Sequence, residues 1–230
     1  MQDQEQKSEV GLIGLGVMGG NLARNIADKG FSVVVYNRTY AKTQEFLEKY
    51  PNSNIQGFQT IEEFIRSLER PRKIILLVKA GAVVDTVLEQ LIPLLEKDDV
   101  IIDCGNSNYK DTQRRFNIVE KNGIHFIGCG VSGGEDGALR GPSLMPGGTK
   151  ASWEKVQPIF EAIAAKDFNG KPCVTYVGDN GAGQYVKTVH NGIEYGVMQL
   201  MAEAYMLLKD FYKLSPPEIA KIFDEYNYGE

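Results

Sequence analysis

The sequence has no basic surplus, few cysteines and no long hydrophobic run, and each shortage removes a class of protein. Lys and Arg number 25 against 30 Asp and Glu, a formal net charge of -5. That balance argues against a nucleic-acid partner, because binding phosphate backbones draws on clustered Lys and Arg. The three cysteines, Cys104, Cys129 and Cys173, are an odd, widely spaced set, and two of them lie in apolar strand-like runs. Such cysteines suit buried reduced thiols better than a disulfide framework, and no metal is expected on them. No apolar run approaches the roughly 20 residues of a membrane span. The polar stretch from Met1 to Glu9 lacks the apolar centre of a signal peptide, so the expected location is the cytoplasm. Internal repeats and low-complexity segments are missing as well.

What remains is a chain of 230 residues, 43% of them hydrophobic, enough for one sizeable core or for a core with an appendage. Short β-rich runs recur at Val10 to Ile13, Ser32 to Tyr36, Lys73 to Val78, Val100 to Cys104, His125 to Cys129 and Val174 to Val177. Between them, residues 20–29, 41–49, 60–69, 82–96 and 111–122 are rich in helix formers. The alternation predicts an α/β fold, a Rossmann-type doubly wound and mostly parallel sheet. After Asn180 the pattern changes. Val186, Val189, Ile193, Val197, Leu200, Ala204 and Leu207 step by threes and fours, which predicts one long helix from Ala182 to about Lys213. Ser215-Pro216-Pro217 should stop it, and a shorter helix is expected from Glu218 to about Tyr226. The expected domains are therefore a dinucleotide-binding unit over 1–180 and the start of an all-α second domain over 181–230, as in a truncated chain.

The run Gly14-Leu15-Gly16-Val17-Met18-Gly19 lies between the first strand and the first helix. In that setting Gly14 permits a tight turn, Gly16 lets backbone approach a pyrophosphate, and Gly19 lets the helix pack closely. The helix N-terminus offers free N–H groups to phosphate. At the end of the second strand an NAD site usually carries Asp or Glu; here Asn37-Arg38-Thr39 stands there. Arg38 can pair bidentately with a 2′-phosphate and Thr39 adds a hydroxyl, so NADP is the expected cofactor. Two further segments follow strands and should reach the carboxyl edge of the sheet: Gly105-Asn106-Ser107-Asn108 and Gly130-Val131-Ser132-Gly133-Gly134. Ser-Gly-Gly presents backbone N–H groups to an anion, or is simply a tight turn. On the long helix, Lys187, His190, Asn191 and Glu194 fall within an arc of about 100°. Lys187 and Glu194 stand roughly 10 Å apart along the axis, the spacing of an acid and a base flanking a sugar-sized substrate. A solvated polar face accounts for the same arc equally well.

These residues resemble the amino-terminal part of the decarboxylating 6-phosphogluconate dehydrogenases. The likeness rests on GLGVMGGN at 14–21, YNRT at 36–39, VKAG at 78–81, GVSGGEDGALRGPSLMPGG at 130–148 and KTVHNGIEYG at 187–196. It implies NADP-dependent oxidation and decarboxylation of 6-phospho-D-gluconate to ribulose 5-phosphate, with no metal. It further implies Lys187 as general base, neutral through desolvation, and Glu194 as the acid that protonates C1 of the enediol. Asn106, Ser132, Gly133, Gly134, His190, Asn191 and Tyr195 match substrate contacts; Val78, Lys79 and Ala80, with Asn106, match cofactor contacts. A homodimer is implied for the full-length family form, through a helical domain that also supplies residues for the substrate phosphate. Gln184 stands where many members carry His, and no role is assigned to it. A related β-hydroxyacid dehydrogenase shares the glycine loop, but HNGIEYG and GPSLMPGG speak against it. An inactive NADP-binding module is the non-enzymatic alternative, separated from the enzyme by turnover.

Overall fold

The computed structural model describes residues 7–52 and 54–228; the start of the polar stretch, up to residue 6, and the final Gly229-Glu230 lie outside them. Contacts divide the chain into one unit ending at Lys187 and another beginning at Thr188.

In the first unit, β1 (Val10–Ile13), β2 (Val33–Tyr36), β3 (Ile55–Phe58), β4 (Lys73–Leu76), β5 (Val100–Asp103), β6 (His125–Ser132) and β7 (Ser143–Gly147) form one sheet in the order β3-β2-β1-β4-β5-β6-β7. All pairs are parallel except β6 with β7. Strand side chains alternate between two cores. Val33, Val35, Val100 and Ile102 join Leu22 and Ile26 of α1 (Val17–Asp28) and Val156 and Phe160 of α7 (Lys150–Ile163) on one face. Val34, Ile74, Leu76 and Ile101 join Phe64 of α3 (Ile61–Arg66) and Leu88 of α4 (Ala82–Leu91) on the other. Each fully buried Leu, Ile or Phe contributes roughly 1.5–3 kcal/mol. Because both faces are covered, the central strands read as continuous apolar runs rather than alternating ones. The remaining helices are α2 (Tyr40–Lys49), α5 (Tyr109–Glu120), α6 (Gly134–Arg140), α8 (Ala182–Met206) and α9 (Pro216–Asn227).

The doubly wound, mostly parallel sheet followed by a long helix is as expected, with local differences. Val174 to Val177 is not a strand: a single bridge joins Val174 to Leu144, and the segment runs beside the edge strand β7. β3 and β7 are strands the sequence reading left out, because Gly57 and Pro146 read as turn residues. β6 continues beyond Cys129 to Ser132 because its second half pairs with β7. Helices α6 and α7 lie in stretches for which no helix was expected. The stretch 82–96 is α4 followed by a tighter turn, Ile92–Leu94, holding Pro93.

Helix α8 starts in the first unit and runs into the second. It gives way at Leu207–Phe211 to a π-helical turn, where Tyr212 N donates to Leu207 O at 3.2 Å, and Lys213 at φ 58° ends the segment. The regular helix is thus shorter than the apolar spacing suggested. Helix α9 starts two residues early, at Pro216, since Ser215 and Glu218 form a capping box and a first-turn Pro lacks only a donor the helix does not need.

Candidate functional site

Strand β1 pairs with β2 on one side and β4 on the other, so the chain order reverses between β1 and β4, where open α/β sheets bind ligands. The turn after β1 needs its glycines. Gly14 has φ 105°, and a β-carbon on Gly19 would collide with the Gly14 carbonyl. At Gly16, by contrast, a β-carbon would meet nothing within 4 Å. Gly16 also begins α1 without any side-chain cap, whereas Thr60, Asn108 and Thr149 cap α3, α5 and α7. The N-terminus of α1 therefore faces open space with its positive end available to an anion. Leu15 N donates to Asn37 Oδ1 at 3.2 Å and Asn37 Nδ2 to Thr39 O at 3.1 Å, which ties the end of β2 to the glycine loop. Arg38 and Thr39 are exposed there.

A cleft of about 380 Å³ opens at this reversal. It brings together Gly16, Val17, Met18 and Gly19 from the glycine loop, Val78, Lys79 and Ala80 from the loop after β4, and Asn106 after β5. Leu77, Cys104, Gly105 and Val131 complete its wall; Gly105 and Val131 belong to the two glycine-rich segments marked in the sequence, whereas Leu77 and Cys104 were not singled out for binding. A larger groove of about 540 Å³, lined by Tyr36, Thr60, Glu62, Glu89 and Pro93 among others, contains none of these residues. Position at the sheet reversal, not size, makes the smaller cleft the candidate site.

Helix α8 enters beside β6 and β7 through small residues. A β-carbon on Gly183 would overlap the carbonyls of Gly128 and Met145, and one on Gly130 would lie 2.5 Å from Lys187 Cβ. Lys187 is thereby packed on β6 and only 7% exposed. One turn earlier, Gln184 is buried and donates its side-chain amide to Asp103 O at 3.0 Å and Gly105 O at 2.9 Å. Gln184, left without a role by the sequence, anchors the helix to the loop that carries Asn106. At the end of β6, Ser132 is half-buried and Gly133 and Gly134 are exposed, with φ of 125° and 60°. In the second unit, His190 Nδ1 lies 3.1 Å from Asn191 Oδ1 and 3.7 Å from Glu194 Oε2, and Tyr195 is exposed.

Charge is also buried behind the cleft, at Asp103 and Arg115. Burial pushes the Asp103 carboxyl up, opposed by the Ser107 hydroxyl, the Gly105 N–H and Arg115. The Cys104 thiol is pushed up by its hydrogen bond with Cys129 and by burial, which keeps it protonated and unreactive. Among the described residues, no three His, Cys, Asp or Glu are grouped to hold a metal ion, and no helix is long and apolar enough to cross a membrane.

A sheet whose strand order reverses at a glycine loop opening an uncapped helix defines a Rossmann-type dinucleotide-binding domain. Residues 9–178 match the family model for the NAD binding domain of 6-phosphogluconate dehydrogenase, and residues 183–230 match that for the 6-phosphogluconate dehydrogenase C-terminal domain. The chain belongs to the 6-phosphogluconate dehydrogenase family. It is 58% identical over 224 residues to the NADP(+)-dependent, decarboxylating 6-phosphogluconate dehydrogenase of Bacillus subtilis, covering 97% of this chain and 48% of that one. It is 55% identical to the decarboxylating 6-phosphogluconate dehydrogenase of Chlamydia pneumoniae, over 96% of this chain and 46% of the relative. The solved 6-phosphogluconate dehydrogenase of Plasmodium falciparum, studied as apoenzyme, with NADP+ and with 6-phosphogluconate, superposes with a TM-score of 0.91 at 44% identity. That match covers 96% of this chain and 48% of the solved one. The chain spans about half the length of the relatives it matches.

Proposed function

We propose that this chain binds NADP in the cleft at the β1–β4 reversal and takes part in oxidative decarboxylation of 6-phospho-D-gluconate to D-ribulose 5-phosphate and CO₂. The observation that carries the reading is the convergence of the glycine loop, the Val78-Lys79-Ala80 loop and Asn106 on one cleft. The open space at Gly16 and the uncapped start of α1 fit a pyrophosphate, and exposed Arg38 and Thr39 fit a 2′-phosphate. When bound, NADP supplies the acceptor for the hydride from C3 of the substrate.

In this reading Lys187, desolvated against Gly130, takes the proton of the 3-hydroxyl as C3 is oxidised. The protonated amine then hydrogen-bonds the new 3-carbonyl, which accepts the electron pair left when the C1 carboxylate departs as CO₂. Glu194 gives its proton to what becomes C1 of ribulose 5-phosphate. Asn106, Ser132, Gly133, Gly134, His190, Asn191 and Tyr195 hold the substrate. We assign the protein to the cytoplasm and to a homodimer; the exposed stripe of Val189, Ile193, Val197 and Leu200 supplies apolar surface for assembly.

Titration with NADPH and an assay of NADP reduction with 6-phosphogluconate test the reading. Saturable NADPH binding by the 230-residue chain and substrate-dependent reduction by the intact protein are expected. Lys187→Ala and Glu194→Ala should each lower kcat at least a hundredfold, within the range general acid–base groups contribute, with NADPH affinity unchanged. Normal turnover in either variant removes the role given to that residue.

A further inference from the structure

Behind the cleft lies a polar cluster that the proposed chemistry does not use. The Arg115 guanidinium, 1% exposed, donates from Nε and Nη2 to the two Asp85 carboxylate oxygens at 2.9 and 3.0 Å. Its Nη2 also donates to Gly81 O at 2.9 Å, and its Nη1 to Ser107 Oγ at 3.3 Å. Ser107 Oγ donates to Asp103 Oδ2 at 2.6 Å, and Gly105 N to Asp103 Oδ1 at 3.0 Å. One planar cation thus joins the last residue of the Val78–Gly81 loop to the Gly105–Ser107 loop, which carries Asn106. Arg115 is not part of the cleft wall. Exposed ion pairs contribute little, but a buried fork with charged and carbonyl acceptors has both energy and a fixed shape.

We propose that Arg115 is a positioning residue: from α5 it fixes the separation of the two loops and so places the nicotinamide half of the cofactor and Asn106 for reaction at C3. The proposal rests on assigning the cleft to NADP. Lysine at 115 keeps the charge but lacks the fork that reaches Gly81 and Ser107 together, so the loops should drift while the glycine loop and Arg38 stay in place. A misplacement near 1 Å costs up to about a hundredfold in rate.

The test compares the intact protein with its Arg115→Lys variant in affinity for 2′,5′-ADP, which lacks the nicotinamide half, and for NADPH. It also compares kcat and the primary isotope effect with 3-deuterated 6-phosphogluconate. Expected are 2′,5′-ADP affinity within twofold of the parent, kcat lowered at least tenfold and a larger isotope effect. Parental kcat and isotope effect overturn the proposal, as does loss of 2′,5′-ADP affinity in step with NADPH, the mark of general loosening. A parent protein that does not reduce NADP overturns the proposed function instead. Binding then decides: weakened NADPH with 2′,5′-ADP spared supports the positioning role, and any other pattern rejects it. Should Arg115→Lys not fold, Asp85→Asn weakens the same fork from its solvent side and is judged by the same readouts.

Discussion

Asp85 is the solvent-facing partner of the Arg115 fork. Donation from Arg115, reinforced by Arg114 against the cost of partial burial, holds its carboxyl down at about 2, from an ordinary value of 3.8. A depressed carboxyl contributes stability that is fully present above the unfolded value and is lost as pH falls through the folded one. The window here runs from about pH 4 down to about pH 2, and the contribution is on the order of 2 kcal/mol. Urea unfolding of Asp85→Asn should show that deficit at pH 6 and only a minor part of it at pH 2, where the folded carboxyl is half protonated; equal deficits at both would mean that the carboxylate charge is not what stabilises. Residues of this kind were not legible in the sequence. Gly14 and Asn37 announce themselves because their geometry is local, a turn and a strand end. Arg115 and Gln184 find partners 30 and 81 positions away, and nothing nearby marks an Arg in mid-helix or a Gln in a first turn as buried.

The start of α8 depends on close approach. Gly183 lies against the carbonyls of β6 and β7, and Gly130 leaves room for the stem of Lys187. Gly130→Ala forces a methyl group against Lys187 Cβ, an overpacking that costs about 1–3 kcal/mol. It should lower kcat through the displaced amine while NADPH affinity holds; an unchanged kcat would show that Lys187 tolerates the shift. Strands with strong apolar runs, β1, β2, β4 and β5, could be read from sequence almost to the residue. Strands β3 and β7 could not, because pairing with neighbours overrides the turn preference of Gly57 and Pro146. The long helix was legible as far as Met206, and its π-helical end was not, since apolar spacing continues unbroken through Leu207.

At the scale of the molecule, occupancy of the cleft should register as stability. A ligand at a hundred times its Kd adds about 2.7 kcal/mol to the form that binds it. For a unit of this size that raises the melting midpoint by roughly 5–10 °C. Gly16→Ala should abolish the shift produced by NADP and leave the ligand-free midpoint within about 2 °C of the parent, because its methyl meets no protein atom and the extended backbone at Gly16, φ -70°, suits alanine without strain. A persistent NADP shift in that variant would place the pyrophosphate elsewhere. The strip from Cys173 to Val177 has a different bearing on the whole. Leu144 N donates to Cys173 O and Val177 N to Pro146 O, both at 3.0 Å, along the outer side of β7. Pro146 itself has no N–H to offer. An outermost strand with open donors invites another chain to add itself and begin a growing stack. With its donors occupied or missing, this border of the sheet resists recruitment of neighbouring molecules in a crowded solution.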